Sequence, residues 1–372
     1  MRIGILGTRG IPNAYGGFEQ FAQYLALGLH RRGHEVYVYN SSDHPHREPE
    51  WNGVNIVHCR DWEDKIGTAG QFLYDLNCIR DARKRRYDVL LQLGYTSSSI
   101  WHRLWPDRAI NVINMDGLEW KRSKYSRLTR KFLRKAEEWA VKHGDILVAD
   151  SIGIRDYILA EYGISSVYIP YGAEIPEKFD PEVPARYGLV SGGYSLLMAR
   201  MEPENNIEMV IRGWMDSQKT RPLVLVGNPR NSFGQYLVRT YKDEQLRFIG
   251  AIYESDVINA LRHYSALYLH GHSVGGTNPS LLEAMACGCV IAAHDNPFNR
   301  AILGDQTYYF SSAKQVCDAL RTTNNEKETM GWQEKNIQKI RDIYSWDKII
   351  GDYEMVFRSG PGGQTGRRPS KQ

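Results

Sequence analysis

The sequence predicts an α/β protein of two doubly wound domains. Three observations lead there. Short apolar, β-rich runs alternate with amphipathic helical stretches. The alternation breaks once, at a Gly/Pro-rich segment, and then restarts. The chain has 372 residues, a length for two to three domains. Apolar strands separated by helices belong in a parallel sheet covered on both faces.

The first series opens with the strand Arg2–Leu6. Phe18–Arg32 follows as a helix, with Phe18, Phe21, Ala22, Leu25 and Leu29 on one face and Gly33 as its stop. Strands are then expected at Glu35–Tyr39, Val54–His58, Val89–Leu93, Ala109–Asn114 and Ile146–Ala149, and Val167–Pro170 closes the series. Residues 171–193 contain Gly172, Pro176, Pro181, Pro184, Gly188, Gly192 and Gly193, a linker composition. The second series runs Tyr194–Ala199, Leu223–Val226, Arg247–Ile249, Ala266–Leu269, Val290–Ala293 and Tyr308–Phe310. The expected domains are 1–172 and 173–344, facing across a cleft with ligands at the C-terminal strand ends. Ser345 suits the N-cap of a closing helix, about 345–357, that starts Trp346-Asp347-Lys348. Ser359–Gln372 has no large apolar residue and is expected to be disordered.

Composition excludes several classes. Apolar residues are 42% and charged residues 24%, which rules out a disordered, collagen-like or coiled-coil chain. No apolar run is long enough to span a bilayer, and the N-terminus lacks the pattern of a signal peptide, so the chain is expected in the cytosol. A formal charge of +4 does not demand nucleic acid. Cys59, Cys78, Cys287, Cys289 and Cys317 are scattered and odd in number, which fits buried thiols in a reducing compartment rather than a zinc site.

Three loops could carry chemistry. After the first strand, Gly16-Gly17 precedes a helix, where backbone N–H groups favour an anion; the alternative is a tight loop needing positive φ. After Tyr194–Ala199, Arg200 could fork onto a diphosphate, or could simply pair with Glu202 or Glu204. The third loop is His270-Gly271-His272-Ser273-Val274-Gly275-Gly276-Thr277-Asn278. Thr277 or Asn278 can cap a helix that begins Pro279-Ser280-Leu281. Amides of residues 276–281 would then accept a phosphate, and Glu283 would accept ribose hydroxyls. His270 and His272 lack a third partner for a metal.

The stretch Asn278-Pro279-Ser280-Leu281-Leu282-Glu283-Ala284-Met285-Ala286-Cys287-Gly288 resembles the nucleotide-binding segment of retaining GT-B glycosyltransferases of the large family 4 group. Arg200 with Pro203-Glu204, Ile169-Pro170-Tyr171-Gly172, Leu223–Gly227 and Tyr344-Ser345-Trp346 extend the resemblance over residues 1 to about 357. It implies two Rossmann-like domains and a terminal helix that crosses back to the first. It implies a nucleotide-sugar donor held by Gly16, Gly17, Arg200, Asn205, Gly275, Gly276, Thr277, Asn278, Ser280, Leu281 and Glu283, with no cofactor and no metal. An acceptor is expected near Arg9, Tyr15, Glu19, Asp116 and Glu119, with Arg200 and Asp116 as the catalytic candidates. Asp116-Gly117 also reads as a plain turn.

Gly4–Pro12, Tyr15–Glu19 and Met115–Arg122 resemble bacterial rhamnosyltransferases that use dTDP-L-rhamnose in capsule or other surface polysaccharides. The expected acceptor is a saccharide, lipid-linked at the inner membrane face. Two positions depart from the family pattern. Gly275 stands where a first glutamate is usual, and Asn205 where a lysine follows the arginine. Loss of the glutamate argues against a plain glucose or mannose donor and is compatible with a 6-deoxy-L-sugar or with lost activity. The alternatives are the same fold with a UDP- or GDP-hexose donor, a non-catalytic sugar-nucleotide-binding subunit, which both departures motivate, and an epimerase that shares the fold. Finally, residues 121–135 hold Lys121, Arg122, Lys124, Arg127, Arg130, Lys131, Arg134 and Lys135 without an acidic residue, and Leu128, Phe132, Ala136 and Ala140 form a stripe at helical spacing. Arg83-Lys84-Arg85-Arg86 could extend this basic patch. Such a helix suits an anionic membrane surface, placing the chain as a peripheral protein; the alternative is a solvated face.

Overall fold

The computed structural model describes residues 1–121, 125–218, 220–274, 276–322 and 326–360, the side chains of 326–328 excepted. Contacts divide the chain into two units: Met1–Tyr171 together with the stretch from Trp346, and Gly172–Ser345.

In the first unit the strands are β1 (Arg2–Leu6), β2 (Glu35–Ser41), β3 (Glu50–Trp51), β4 (Val54–Cys59), β5 (Val89–Leu93), β6 (Ile110–Asn114), β7 (Ile146–Ala149) and β8 (Val167–Tyr168). The helices are α1 (Gly17–Arg31), α2 (Glu63–Ile66), α3 (Ala69–Arg85), α4 (Arg127–His143) and α5 (Ile152–Tyr162). The sheet order is β3-β4-β2-β1-β5-β6-β7-β8. Every pairing is parallel except the short β3–β4 hairpin, which the sequence reading did not anticipate because two residues show no period. Ile3, Ile5, Val89, Leu90 and Leu91 are fully buried, as expected of strands covered on both faces.

In the second unit the strands are β9 (Ser195–Met198), β10 (Leu223–Val226), β11 (Leu246–Gly250), β12 (Leu267–His270), β13 (Ile291–His294) and β14 (Tyr308–Phe310). They form one parallel sheet in the order β11-β10-β9-β12-β13-β14. Its helices are α6 (Val183–Arg186), α7 (Ile207–Met215), α8 (Ser232–Thr240), α9 (Ser255–His263), α10 (Pro279–Ala286), α11 (Pro297–Leu303), α12 (Ala313–Thr322) and α13 (Glu326–Asp342). Leu197, Leu223, Leu225, Ile207, Val210, Trp214, Val316 and Phe310 build its core. Residues 171–193 are not a free linker. Val183 and Pro184 are buried in α6, Phe179 stacks on His263 at 3.9 Å, and the Phe179 carbonyl accepts from the Tyr264 hydroxyl. The prolines shape a docked segment.

Helix α14 (Trp346–Ser359) returns to the first unit. It packs on α1 at Gly28, where a Cβ would come within 2.1 Å of Ile350. Phe21 meets Tyr171, Trp346 and Tyr353 at ring distances of 5.3, 5.8 and 5.4 Å. The expected tail falls, from residue 361 onward, outside the described residues. Among the described residues no helix is long and apolar enough to cross a membrane.

Candidate functional site

A doubly wound sheet opens a crevice where its strand order reverses, at the carboxyl ends of the strands. In the second unit that point lies between β9 and β12. Arg200 follows β9, and its side chain is exposed. Among the described residues no carboxylate pairs with it, so neither Glu202 nor Glu204 takes its charge. The Arg200 carbonyl accepts from the Glu202 amide and from Asn205 Nδ2, both at 2.7 Å. Asn205 is buried, and its Oδ1 accepts from His272 Nδ1 at 2.7 Å. The amide of Asn205, expected at the donor, thus joins two loops. Ser273 donates twice to the Glu204 carbonyl, and Asn206 Nδ2 donates to the Gly271 carbonyl at 2.8 Å. Gly271 allows this approach, since a Cβ would lie 2.1 Å from the Asn205 oxygen.

Asn278 is the N-cap of α10. Its Oδ1 accepts from the Ser280 amide at 2.9 Å, and its carbonyl accepts from the Leu281 amide at 3.1 Å. Pro279 has no N–H. The amides of Ser280 and Leu281 are thus engaged by Asn278. The side chains also point elsewhere. Leu281 is fully buried, and Ser280 Oγ bonds Tyr268 Oη at 2.8 Å and accepts from Arg262 at 3.1 Å. Thr277 is buried, Gly276 is half-buried, and Gly275 lies outside the described residues.

Glu283 forms an ion pair of 2.6 Å with Arg262, whose side chain is 5% exposed against 25% for Glu283. Burial works against the Arg262 charge, yet Glu283 raises its pKa above the ordinary value. No sequence signal marked Arg262, because an arginine in a short helix ordinarily reads as a solvated residue. His270 is buried and its Nε2 has no partner; burial, then His272 and Arg262, push its pKa well below the usual range. Cys287 and Cys289 are buried thiols, Cys287 pushed up to about 12 by burial.

In the first unit the strand order reverses between β1 and β5. The loop after β1 ends at Gly16, the extended N-cap of α1, which lacks a side-chain cap; Gly17 is the first helical residue. Glu19 is buried, and its Oε1 accepts from the Arg9 amide at 2.9 Å. Arg9 forks onto Glu63 and lies 3.8 Å over the Tyr15 ring. Glu19 and Arg9, expected at the acceptor, thus brace the loop, while Tyr15 is 65% exposed.

Asp116 follows β6 with φ of +44°, and its amide donates to Asn114 Oδ1 at 3.0 Å. Asn114 Nδ2 in turn donates to the Tyr353 hydroxyl of α14. Asp116 is thus a turn residue and also a half-buried carboxylate at a strand end. Strained backbone of this kind clusters at functional sites. Glu119 accepts from Tyr125 Oη at 3.4 Å. Next to it, Trp120 Nε1 donates to Glu137, a buried carboxylate that also accepts from Tyr95, Tyr157 and Tyr162. The sequence carried a signal for Glu137: it lies on the buried side of α4 with Leu133, Ala136, Ala140 and Val141.

The outer face of α4 differs from the expected stripe. Leu128 is 79% exposed, Phe132 packs on Phe72 at 5.6 Å, and Ala136 and Ala140 are in the core. An i, i+4 row drifts about 40° per step, so it starts in solvent and ends inside. Arg134 pairs with Glu161, Lys135 with Glu138 at 2.8 Å, and Arg85 with Asp81. Arg122 and Lys124 lie outside the described residues. Among the described residues no group of three metal-ligating side chains gathers.

Two doubly wound units joined in this way, with a terminal helix returned to the first, make the GT-B fold. The comparisons are consistent with it. Residues 190–327 match the family of glycosyl transferases group 1, and residues 1–174 match a domain of unknown function, DUF1972. A curated relative, an uncharacterized glycosyltransferase of Methanocaldococcus jannaschii, is 23% identical over 240 residues, covering 58% of this chain and 59% of that protein. The chain thus aligns with about three-fifths of that relative's length. Among solved structures, sucrose-phosphate synthase from Thermosynechococcus elongatus superposes with a TM-score of 0.80 at 15% identity, over 96% of this chain and 98% of that one. Anabaena HepE in complex with UDP and glucose gives 0.75 at 13% identity, over 96% and 100%. Trehalose 6-phosphate synthase from Burkholderia multivorans gives 0.68 at 13%, over 96% and 98%.

Proposed function

We propose that this protein is a retaining, metal-independent glycosyltransferase that moves L-rhamnose from dTDP-L-rhamnose onto a saccharide acceptor, lipid-linked, in bacterial surface polysaccharide assembly. The observation that carries the transferase reading is the strand-order reversal of the second unit. There Arg200, exposed and without an ion-pair partner among the described residues, follows β9, and Glu283 stands in the helix after β12, its carboxylate fixed by Arg262. The group 1 match over the same unit supports it. In this reading Arg200 stabilises the diphosphate as charge develops on it. Glu283 holds the donor's hydroxyls, Gly16 and Gly17 approach its phosphates, and a leaving phosphate oxygen takes the acceptor proton. Asp116 and Glu119 attend the acceptor, with exposed Tyr15. The rhamnose donor is supported by the three sequence segments given above and by glycine at position 275. The protein works as a peripheral cytoplasmic enzyme at an anionic membrane face, a reading supported by the exposed Leu128 and the cations of α4.

A second reading, the same reaction with a UDP-hexose, is favoured by similarity to HepE, which was solved with UDP-glucose. A donor panel tests both: transfer and thermal stabilisation are measured with dTDP-L-rhamnose, UDP-glucose, UDP-N-acetylglucosamine and GDP-mannose. The expected best donor is dTDP-L-rhamnose. Faster transfer from UDP-glucose selects the second reading, and binding without turnover by any donor defeats both.

A further inference from the structure

A pocket of about 440 Å³ opens on the flank of the first unit, between the C-terminal half of α4 and the turn Ser99–Leu104. Its cationic lining is Arg103, Lys135 and Lys142, beside Trp139 and the rings of His102 and His143, which stack at 4.0 Å. Two carboxylates, Asp107 and Glu138, also line it, and Glu138 is engaged by Lys135 at 2.8 Å. Among the described residues Arg103 and Lys142 form no ion pair. Three cations against two carboxylates leave a formal charge of +1. His102 Nδ1 donates to the Ser99 carbonyl at 3.0 Å, since a carbonyl only accepts, so its Nε2 is left for another partner.

The location separates this pocket from the loops described above. Asp107 stands three residues before β6 and His143 three before β7, at the starts of the strands. Asp116 and Gly94 follow strand ends. A ligand in this pocket therefore does not compete with donor or acceptor. Leu128, Phe132 and Trp139 lie along one side of α4, the first of them 79% exposed. A seat for an anion thus lies on the same side of the helix as the exposed Leu128 and the half-buried Phe132 and Trp139.

We propose that this pocket binds a phosphate mono- or diester, and that its source is the headgroup of an anionic lipid. The guanidinium of Arg103 forks onto two phosphate oxygens, the ammonium of Lys142 supplies a point charge, and Trp139 lies at the level where indole favours a membrane interface. The lipid as source rests on the membrane reading given above; the phosphate site does not.

The test uses the full chain and two double variants, Arg103→Gln/Lys142→Gln in the pocket and Arg127→Gln/Lys131→Gln outside it. Sedimentation is run with vesicles of phosphatidylcholine alone and with one-third phosphatidylglycerol. Calorimetric titration is run with inorganic phosphate and with glycerol 3-phosphate. Each basic side chain at an anionic surface contributes about 1 kcal/mol, about fivefold in affinity, so the pocket variant, with two removed, is expected to bind phosphatidylglycerol vesicles about twenty-five-fold more weakly. Glycerol 3-phosphate is expected to bind the wild type and not the pocket variant, with melting temperature and donor binding unchanged. If the pocket variant binds vesicles and glycerol 3-phosphate as the wild type does, the site is overturned, while a loss confined to the Arg127/Lys131 variant leaves the membrane reading intact. If the wild type binds no vesicle yet titrates with phosphate through Arg103 and Lys142, the membrane reading fails and the site stands as one for free phosphate.

Discussion

At the scale of single residues, Arg262 alters how Glu283 must be tested. A buried arginine whose carboxylate partner is deleted keeps an uncompensated charge, at a cost of about 3–5 kcal/mol. Glu283→Ala is therefore expected to lower the melting temperature sharply, whatever its effect on ligands. Glu283→Gln retains an oxygen for Arg262. It should weaken donor binding by about 1–3 kcal/mol, the scale of a hydrogen bond to a charged group, with a smaller loss of stability than the alanine variant. Isothermal titration and thermal melts of the two variants separate the effects, and an unchanged donor affinity in Glu283→Gln would remove the residue from the donor site. Arg200 presents the opposite case. Its carbonyl anchors the loop while its side chain is exposed, so Arg200→Ala should fold normally. In the proposed reaction its turnover should fall more than its donor KM rises, because charge on the diphosphate grows during bond cleavage; a wild-type rate would leave it a surface residue. The positions of Arg200 after a strand and of Glu283 in a helix were legible because strand ends and a Pro-started helix can be read from spacing. Arg262, Asn205 and the inward turn of Ser280 were not, because partner choice among polar side chains depends on tertiary approach.

At the scale of elements, the strands were legible nearly to the residue. Each is a short apolar run bounded by turn residues, and a parallel sheet demands such runs. Residues 171–193 misled because proline and glycine mark irregular backbone, not freedom from packing. The attachment of α14 is sensitive to acid. Glu354 accepts from Arg358, His34 and Arg32 at 2.7, 3.0 and 3.1 Å. The hydrogen bonds from Arg358, then His34 and Arg32, hold its carboxyl down at about 2, against 4.5 ordinarily. A carboxyl depressed in the folded state contributes stability above its unfolded pKa and loses it as pH falls through the folded one. The docking of α14 should therefore weaken between about pH 4.5 and pH 2. Glu354→Gln should cost about 1 kcal/mol at pH 7, the upper range for a partly exposed network, and should flatten this acid limb. Hydrogen exchange of α14 amides across that pH range checks it; identical acid limbs in variant and wild type would refute the assignment.

At the scale of the whole molecule, the chain completes its first unit last. The second unit, Gly172–Ser345, is continuous in sequence, whereas the first needs Met1–Tyr171 and α14 together. Helix α14 buries Ile349, Ile350, Tyr353, Val356 and Phe357, each at most 7% exposed. At roughly 1.5–3 kcal/mol for each large apolar side chain, their removal forfeits on the order of 10 kcal/mol. That is comparable with the whole stability of a domain, about 5–15 kcal/mol. It also uncovers Phe21, which packs against Trp346 and Tyr353 in the intact unit. A chain ending at Ser345 is therefore expected to lose the folded first unit selectively. Calorimetry should show one transition surviving near its full-length temperature, and nucleotide should still stabilise that transition, since Arg200, Arg262 and Glu283 all belong to the second unit. Sugar transfer should be absent, because Asp116 and the loop after β1 belong to the unit that is lost. Two undiminished transitions in the truncated chain would show that β1–β8 hold together without α14.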